Sequence, residues 1–363
     1  MIRYLPLITL LLIACNGRTG RQPSERHAAQ EDKTFKASKP RGERPESSLV
    51  FAFYNVENLY DTDNDPRTED DDFTPSGKSR WTPERLERKL ENLARGVTAM
   101  DGDRGPDVLG LCEVENRYVL EMLVSEHLPR GEYRIVHTDS RDGRGIDVAL
   151  LYRASAVTFL SSSAHGVDLG ESERPTRDIL EVRFLCNGRP FTVLVNHWPS
   201  RLGGEAQSAW KRERAAARAA RVIDSLEQID RDADIVLMGD LNDTPFDASI
   251  RKVLDADAYS DKTPFPHRMI NTAMPVARQG AIGSYYYRGS WEVIDQIMLS
   301  RGALDTIGLF LHQTSQTIFA PDFLRDRRAD PVDRPPYRTF KGPTQYLGGT
   351  SDHFPIVLVV GAR

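Results

Sequence analysis

A turn that follows a short apolar segment carries two polar side chains whose types and spacing suit phosphate chemistry. Residues 235–238 predict a buried strand, and a glycine then leads into Asp240 and Asn242. Side chains two residues apart in extended backbone point the same way. A carboxylate that holds a water molecule or a metal ion would therefore lie beside an amide that binds a phosphate oxygen. Such turns are also common where no chemistry takes place, so the motif alone leaves both interpretations open.

Polar side chains also close most of the other apolar segments. They are Asn55 and Glu57, Glu113, His197, Asp295, and Asp352 with His353. Strand ends that share one rim of a sheet would bring these residues into a single pocket. Asp295 stands inside an otherwise apolar run, where its burial would be costly without a partner.

The segments that must position these residues alternate between strand and helix patterns. A hydroxyl residue and a proline at positions 82–83 begin a helix with an apolar stripe, and residues 205–227 predict a second, longer helix. Asn187-Gly188 predicts a two-residue hairpin turn, and residues 291–299 predict one strand. Strands in hairpin-like succession are predicted for residues 133–137, 146–152 and 157–160. Because hairpins and helices are interspersed, we predict an α/β (α+β) fold with mixed rather than parallel sheets.

The first 48 residues differ in character from the rest of the chain. Residues 1–15 predict an export signal of the bacterial lipoprotein type, in which Cys15 would be lipidated. The polar residues 16–48 predict a flexible tether, which leaves 49–363 as the folded domain. We therefore expect a protein of the bacterial cell envelope, held at the outer membrane through Cys15. The alternative is a plain secretory signal with a chance cysteine, which gives a secreted or periplasmic protein.

The charge balance restricts the possible partners. Residues 49–363 hold 39 Lys and Arg against 48 Asp and Glu, a net charge of −9. This argues against a protein that holds nucleic acid by phosphate neutralisation alone. It is compatible with an enzyme whose metal ion supplies the missing positive charge. Cys112 and Cys186 lie in apolar segments and predict small buried residues rather than a disulfide framework or a zinc site, and the sequence indicates no protein partner.

The order of these motifs resembles that of the endonuclease/exonuclease/phosphatase superfamily, the DNase I-like proteins. The resemblance covers residues 50–360 and rests on Asn55-Val56-Glu57, Glu113, Asn196-His197-Trp198-Pro199-Ser200, Gly239-Asp240-Leu241-Asn242, Asp295 and Ser351-Asp352-His353. Six motifs in one order are more specific than any one of them. The resemblance implies a four-layer α-β-β-α sandwich of two mixed sheets with outer helices. It also implies hydrolysis of phosphate esters with Mg²⁺, for which Mn²⁺ could substitute.

The resemblance further implies a role for each residue. Glu113 would be the principal metal ligand, helped by Asn55, Glu57 and Asp352, all hard oxygen donors that suit Mg²⁺. Asp240 would orient or deprotonate the attacking water, and Asn242 would hold a phosphate oxygen. The side chains expected to flank the scissile phosphate are His353, supported by Asp295, and His197, with Asp147 as its candidate partner. The division of acid and base roles between the two histidines stays open.

The substrate is predicted less directly. The Asn-Val-Glu-Asn-Leu-Tyr-Asp and His-Trp-Pro-Ser sequences resemble those of secreted or surface bacterial nuclease-like members, which favours DNA or RNA as the substrate. Arg201, Arg338 and Tyr346 lie on loops near the motifs and are candidate contacts to the nucleic acid. One alternative is a phosphodiesterase or phosphatase for a small-molecule or lipid head-group phosphate. The other is a non-catalytic surface binding protein on the same fold.

Overall fold

Two large mixed β-sheets form the framework of the protein in a computed structural model, which describes residues 47–128, 132–262, 264–330, 333–342 and 344–363. The strands are β1 (Ser48–Leu59), β2 (Val108–Val114), β3 (Tyr133–His137), β4 (Asp147–Arg153), β5 (Thr158–His165), β6 (Ile179–Cys186), β7 (Arg189–His197), β8 (Ile235–Asp240), β9 (Ala256–Asp257), β10 (Met269–Asn271), β11 (Tyr285–Tyr287), β12 (Ser290–Glu292), β13 (Asp295–Ser300), β14 (Leu309–Phe310), β15 (Thr317–Ile318), β16 (Phe340–Lys341), β17 (Gln345–Tyr346) and β18 (Ile356–Ala362). The helices are α1 (Pro83–Ala99), α2 (Arg117–Met122), α3 (Glu205–Ile229) and α4 (Met274–Gln279). Single π-helical turns occupy Leu123–His127 and Ser249–Val253.

Each large sheet combines parallel and antiparallel pairs. The first has the strand order β14-β18-β1-β2-β4-β3, with β15 also paired to β18, and the second has the order β5-β6-β7-β8-β13-β10-β9. The pairs β1–β2 and β7–β8 are parallel, whereas β18 and β13 run antiparallel to their neighbours β1 and β8. This arrangement brings the ends of β1, β2, β7 and β8, together with the starts of β13 and β18, to one rim.

The layers follow from the alternation of side chains along the strands. In β1, Phe51 and Phe53 face the second sheet, whereas Val50, Ala52 and Tyr54 face α1. A third apolar cluster lies between the second sheet and α3, where Ala215 to Leu226 meet residues of β7 and β8. Helices on both outer faces and a shared core between the sheets confirm the predicted four-layer sandwich.

Two element predictions need correction. The predicted strand 291–299 is broken into β12 and β13, and this break places Asp295 at the first position of β13. The strand predicted at 157–160 runs from Thr158 to His165 and pairs with β6 in the second sheet, so it does not continue the hairpin of β3 and β4. The alternation of apolar and polar side chains within a strand can be read from the local sequence. The sheet to which a strand belongs depends on contacts with residues that are distant in the sequence.

The predicted signal peptide with Cys15, and all but the last two residues of the tether, lie outside the described residues. Both cysteines of the folded part are buried and free, as expected. No helix within the described residues is both long enough and apolar enough to span a membrane.

Candidate active site

Three residues from neighbouring strands lie side by side at the rim. Parallel pairing of β7 and β8 places His197 opposite Asp240, and antiparallel pairing of β8 and β13 places Asp240 opposite Asp295. Residues in register on adjacent strands share a face of the sheet and lie about 5 Å apart. Asp240 is therefore the central member of a row of three buried, titratable side chains.

The turn after β8 has the local chemistry that its sequence predicts. At Gly239 a Cβ atom would lie 2.3 Å from the backbone oxygen of Asn196, so only glycine lets β7 and β8 approach this closely. Asn242 adopts φ +51°, a left-handed conformation that asparagine tolerates better than most residues. Its backbone N–H donates to Oδ1 of Asp240 at 3.0 Å, and its side-chain amide donates to the backbone oxygen of Trp198 at 3.0 Å.

Asn55 joins the two sheets at the site. Its amide nitrogen donates to Oδ2 of Asp240 at 3.0 Å and to Oε1 of Glu113 at 3.3 Å. Its amide oxygen accepts the backbone N–H of Glu57 at 2.9 Å. In this structure its oxygen faces the backbone and its nitrogen faces the carboxylates, and its expected role as a metal ligand stays a prediction. Asn55 acts as a bridge that spaces Glu113 from Asp240.

His353 is held as a cation by the carboxylates around it. Its Nδ1 lies 2.7 Å from Oδ2 of Asp295, and its Nε2 lies 3.8 Å from Oδ2 of Asp240. Burial by itself lowers the pKa of His353, but the charge and hydrogen bond of Asp295 together with the charges of Asp240 and Asp352 raise it to about 10. The predicted support of His353 by Asp295 is thus present in the structure.

His197 has the opposite electrostatic environment. Burial lowers its pKa well below the ordinary value, and the positive charges of Arg177, Arg144 and His353 lower it further. Its Nε2 lies 3.8 Å from Asp240 and 3.9 Å from Glu113. The two histidines at this site therefore differ in protonation near neutral pH: His197 is neutral and His353 is charged.

Asp147 does not pair with His197 as expected. Its carboxylate accepts the backbone N–H of Ser140 at 2.9 Å and lies 3.6 Å from Nε2 of His137. Among the described residues, Nδ1 of His197 has no hydrogen-bond partner. The predicted pair is wrong because the side chain of Asp147 is directed toward β3 in its own sheet rather than toward β7.

Glu57 is also not directed at the site. Its carboxylate accepts the backbone N–H groups of Thr339 at 2.5 Å and of Phe340 at 3.2 Å. Burial raises its pKa to about 7, and the charge of Asp352 contributes to the increase. The predicted role as a metal ligand is therefore wrong, and Glu57 instead anchors the long connection that leads to β18.

The three candidate substrate residues occupy different surroundings. Arg338 lies at the site, where its guanidinium is 3.2 Å from Asp352. Arg201 donates to the backbone oxygen of Asn242 at 2.8 Å and pairs with Glu292 at 2.9 Å, so it fixes the turn after β8. Tyr346 packs edge-to-face against Trp81 and Phe340 and has the guanidinium of Arg85 over its ring, so its contacts are with this aromatic group.

Two residues near the site were missed by sequence reasoning. Tyr285 stacks on His353 with ring centroids 4.7 Å apart, and its Tyr-Tyr-Tyr surroundings offered no specific signal. Lys89 is 1% exposed, and its ammonium donates to the backbone oxygens of Glu57 and Thr350 and to the hydroxyl of Thr339. A signal for Lys89 existed, because it stands three residues after Leu86 within the apolar stripe of α1.

The carboxylates gathered at the rim would be stabilised by a divalent cation. Within the described residues, Oδ1 of the buried Asp295 has no hydrogen-bond partner, and ligand atoms of Asp240, Asp295 and His353 lie within 4.8 Å of one another. Burial, and then the charge of Asp295, raise the pKa of Asp240 to about 7. Concentrated carboxylate charge of this kind is stabilised by a hard cation, which prefers oxygen donors.

Comparisons with known proteins agree with this geometry. A family profile described as "Endonuclease/Exonuclease/phosphatase family" matches residues 50–362. No significant match to a curated protein was found.

Solved structures with a similar fold come from several organisms. D. rerio TDP2 complexed with single strand DNA product has a TM-score of 0.54 and 15% identity over 87% of this chain and 100% of that one. The human Nocturnin catalytic domain with bound sulfate anion has a TM-score of 0.53 and 14% identity over 88% and 97%. An endonuclease/exonuclease/phosphatase from Bacteroides vulgatus has a TM-score of 0.52 and 15% identity over 88% and 100%.

Proposed function

The chain belongs to the endonuclease/exonuclease/phosphatase family of phosphate ester hydrolases, and we propose that it hydrolyses the phosphodiester bonds of DNA or RNA with a divalent cation. The observation that carries the proposal is the position of Asp240. It lies within 3.8 Å of Nε2 of both histidines and is held by the amide of Asn55. A base, a neutral imidazole and an imidazolium in contact form an arrangement that suits attack of water on a phosphate.

The cation is proposed to be Mg²⁺, with Mn²⁺ as a substitute. Glu113 and Asp352 would hold it, since both are at the rim and their side chains are 16% and 23% exposed, unlike the almost fully buried Asp240 and Asp295. When bound, the cation supplies charge stabilisation to the phosphate oxygens. Side chains of this protein carry out the proton transfers and bind the substrate.

Asp240 acts as the general base. A carboxylate with a pKa of about 7 is well matched to a water molecule at neutral pH. As the water oxygen forms its bond to phosphorus, its proton passes to Asp240, and the bond to the leaving oxygen breaks. Asn242 binds a non-bridging oxygen through its amide, which has a second hydrogen besides the one given to Trp198.

His353 acts as the acid. Its Nε2 proton passes to the leaving oxygen, while Nδ1 stays on Asp295 and fixes the orientation of the ring. His197 stays neutral and donates a hydrogen bond to a phosphate oxygen through its ring N–H. The different environments of the two imidazoles thus support an assignment of roles that their sequence left open.

Three observations support nucleic acid as the substrate class. Arg338 lies beside Asp352, where it can contact a backbone phosphate. The strand-end sequences resemble nuclease-like members, and a structure of similar fold, TDP2, contains a single strand DNA product. The cation compensates for the acidic surroundings of the site, which would otherwise repel a polyanion.

A substrate panel tests the proposal. Purified full-length protein with Mg²⁺ is incubated with plasmid DNA, RNA, bis-p-nitrophenyl phosphate and p-nitrophenyl phosphate. We expect cleavage of a nucleic acid and of the diester, with little release from the monoester. Release from the monoester alone would contradict the nuclease proposal in favour of a phosphatase, and hydrolysis of none with either Mg²⁺ or Mn²⁺ would refute catalysis itself.

The proposal includes anchoring at the cell envelope through a lipid on Cys15, with nucleic acid outside the cytoplasm as the target. Its support is the Leu-Ile-Ala-Cys ending of the apolar segment. Metabolic labelling with a radioactive fatty acid in a bacterial host tests it. The wild-type chain is expected to take up label, and Cys15→Ser is expected to take up none; equal labelling of the two would contradict the anchor.

A further inference from the structure

A small tyrosine hairpin extends the site toward solvent. β11 and β12 pair antiparallel, and Arg288-Gly289 forms the turn with φ +48° and +87°, values typical of a tight two-residue hairpin. The start of the hairpin is fixed to the catalytic residues, because Tyr285 forms an isolated bridge with His353. The hairpin is therefore a continuation of the rim and not a separate surface.

One face of this hairpin carries a ladder of parallel rings. Tyr285 lies 4.7 Å from the ring of His353 at an angle of 29°, and Tyr287 lies 6.1 Å from Tyr285 at an angle of 15°. Residues two apart on a strand share a face, which explains why both tyrosines lie on the same side as the histidine. Exposure increases along the ladder, from 5% for His353 to 46% for Tyr287.

The opposite face of the hairpin holds it in place. Tyr286 packs against Trp291 at 4.8 Å, and Trp291 stacks on Phe354 at 5.8 Å. Phe354 is fully buried and follows the catalytic His353 directly. Since these contacts anchor the hairpin, the outermost ring of the ladder is not needed to hold it.

A positive charge accompanies the exposed ring. The guanidinium of Arg288 lies 5.0 Å from the ring centroid of Tyr287. An aromatic ring with an arginine over it combines two groups with which proteins hold single-stranded nucleic acid, since bases stack on rings and on guanidinium planes and the arginine attracts the backbone.

On the basis of the proposed function, we propose that Tyr287 and Arg288 form a stacking site for an unpaired base next to the scissile phosphate. The two ring separations of 4.7 Å and 6.1 Å place the ring of Tyr287 no more than about 11 Å from the ring of His353. A base can stack on a tyrosine only if its own face is exposed, which a continuous duplex prevents. The enzyme therefore prefers single-stranded DNA or RNA, or unpaired ends, over paired strands.

The test compares substrates with and without bases. The measured quantity is kcat/KM for a single-stranded oligonucleotide divided by kcat/KM for bis-p-nitrophenyl phosphate, with Mg²⁺ and the full-length protein. We expect Tyr287→Leu to lower this ratio about tenfold, as for the loss of one stacking contact. Tyr287→Phe, which keeps the ring, is expected to retain it. Tyr259→Leu is the matched control, because Tyr259 is 37% exposed and follows the edge strand β9.

The outcomes separate this inference from the proposed function. If the wild type cleaves the single strand and Tyr287→Leu has the same ratio of kcat/KM values as the wild type, the stacking site is overturned and the nuclease proposal stands. Equal cleavage of a single strand and of its blunt duplex by the wild type would also overturn the stacking site. Hydrolysis of the diester without cleavage of any oligonucleotide would overturn the proposed function and the stacking site together.

Discussion

At the scale of single residues, the site is defined by the contrast between its two histidines. Both are buried near the same carboxylate, Asp240. His353 has a carboxylate on each side and keeps its proton, whereas burial, and then the nearby positive charges, lower the pKa of His197 so that it loses its proton. Because burial and charge separate the pKa values of the two imidazoles, one can act as an acid while the other stays neutral at the same pH.

The stability of the folded protein should depend on the ion pair between His353 and Asp295. The pKa of His353 in the folded protein, about 10, exceeds the ordinary value of about 6.5. The ion pair therefore contributes fully to the free energy of unfolding below pH 6.5, and this contribution is lost as the pH rises toward 10. The free energy of unfolding is measured by urea denaturation in EDTA at pH 7.5 and at pH 10, for the wild type and for Asp295→Asn. Between these two pH values, the decrease should be about 2–4 kcal/mol larger for the wild type than for the variant. Parallel pH profiles for the two proteins would contradict the ion pair.

Asp240→Asn tests the general base directly. The amide keeps the shape of the side chain but cannot accept a proton, so kcat should fall by roughly 10²–10⁴-fold while KM changes little. The assay is release of p-nitrophenol from bis-p-nitrophenyl phosphate, and Asp168→Asn, at an exposed loop position, is the control. A rate near that of the wild type would remove Asp240 from the mechanism.

At the scale of elements, a buried lysine and glutamate hold the long connection that supplies Asp352 and His353. Lys89 of α1 donates to Glu57, Thr339 and Thr350, while the carboxylate of Glu57 accepts two backbone N–H groups at 339–340. Burial raises the pKa of Glu57 and lowers that of Lys89, so each charge depends on the other for stabilisation. The two residues fasten both ends of the segment 339–350 to the end of β1.

Replacing this lysine should disturb the site from a distance. Lys89→Met fills the space but removes the ammonium that donates to three buried oxygens, at a cost of about 3 kcal/mol or more. It should lower kcat as well, because the segment before Asp352 loses its anchor. Thermal unfolding and diester hydrolysis are the measurements, with Lys78→Met as control, since the Lys78 side chain is 72% exposed. Loss of stability with full activity would show that the anchor does not position the site.

The same elements show what sequence could and could not predict. Strand ends and the turn after β8 follow from local patterns, so Asp240, Asp295 and His353 were placed correctly at one rim. Asp147 was assigned the wrong partner although its carboxylate bonds to Ser140, only seven positions away. The surroundings of Glu57 were not predicted, because its carboxylate bonds to residues more than 280 positions away. A long connection without regular elements carries no periodicity from which such contacts can be read. Tyr285 was missed for the same reason, since its stacking on His353 depends on how the hairpin docks.

At the scale of the whole molecule, the proposed function requires an acidic folded part to bind a polyanion. The net charge of residues 49–363 is −9, and four of the carboxylates lie at one rim. Long-range attraction therefore cannot come from the protein as a whole, and affinity has to be local. A bound cation would offset the negative potential at the site itself, so metal binding should favour substrate binding and add to the stability of the fold.

Removal of the metal should consequently affect stability as well as rate. Protein treated with EDTA should hydrolyse no diester, and Mg²⁺ or Mn²⁺ should restore activity. The cation relieves repulsion among buried carboxylates, so a 100-fold excess over its Kd should stabilise the folded protein by about 2.7 kcal/mol, seen as a rise in Tm. Glu113→Gln should lose most of this rise because it removes the proposed principal ligand, whereas Glu171→Gln, at an exposed position, should keep it. A Tm that responds to Mg²⁺ equally in both variants would place the cation away from Glu113, whatever the activity shows.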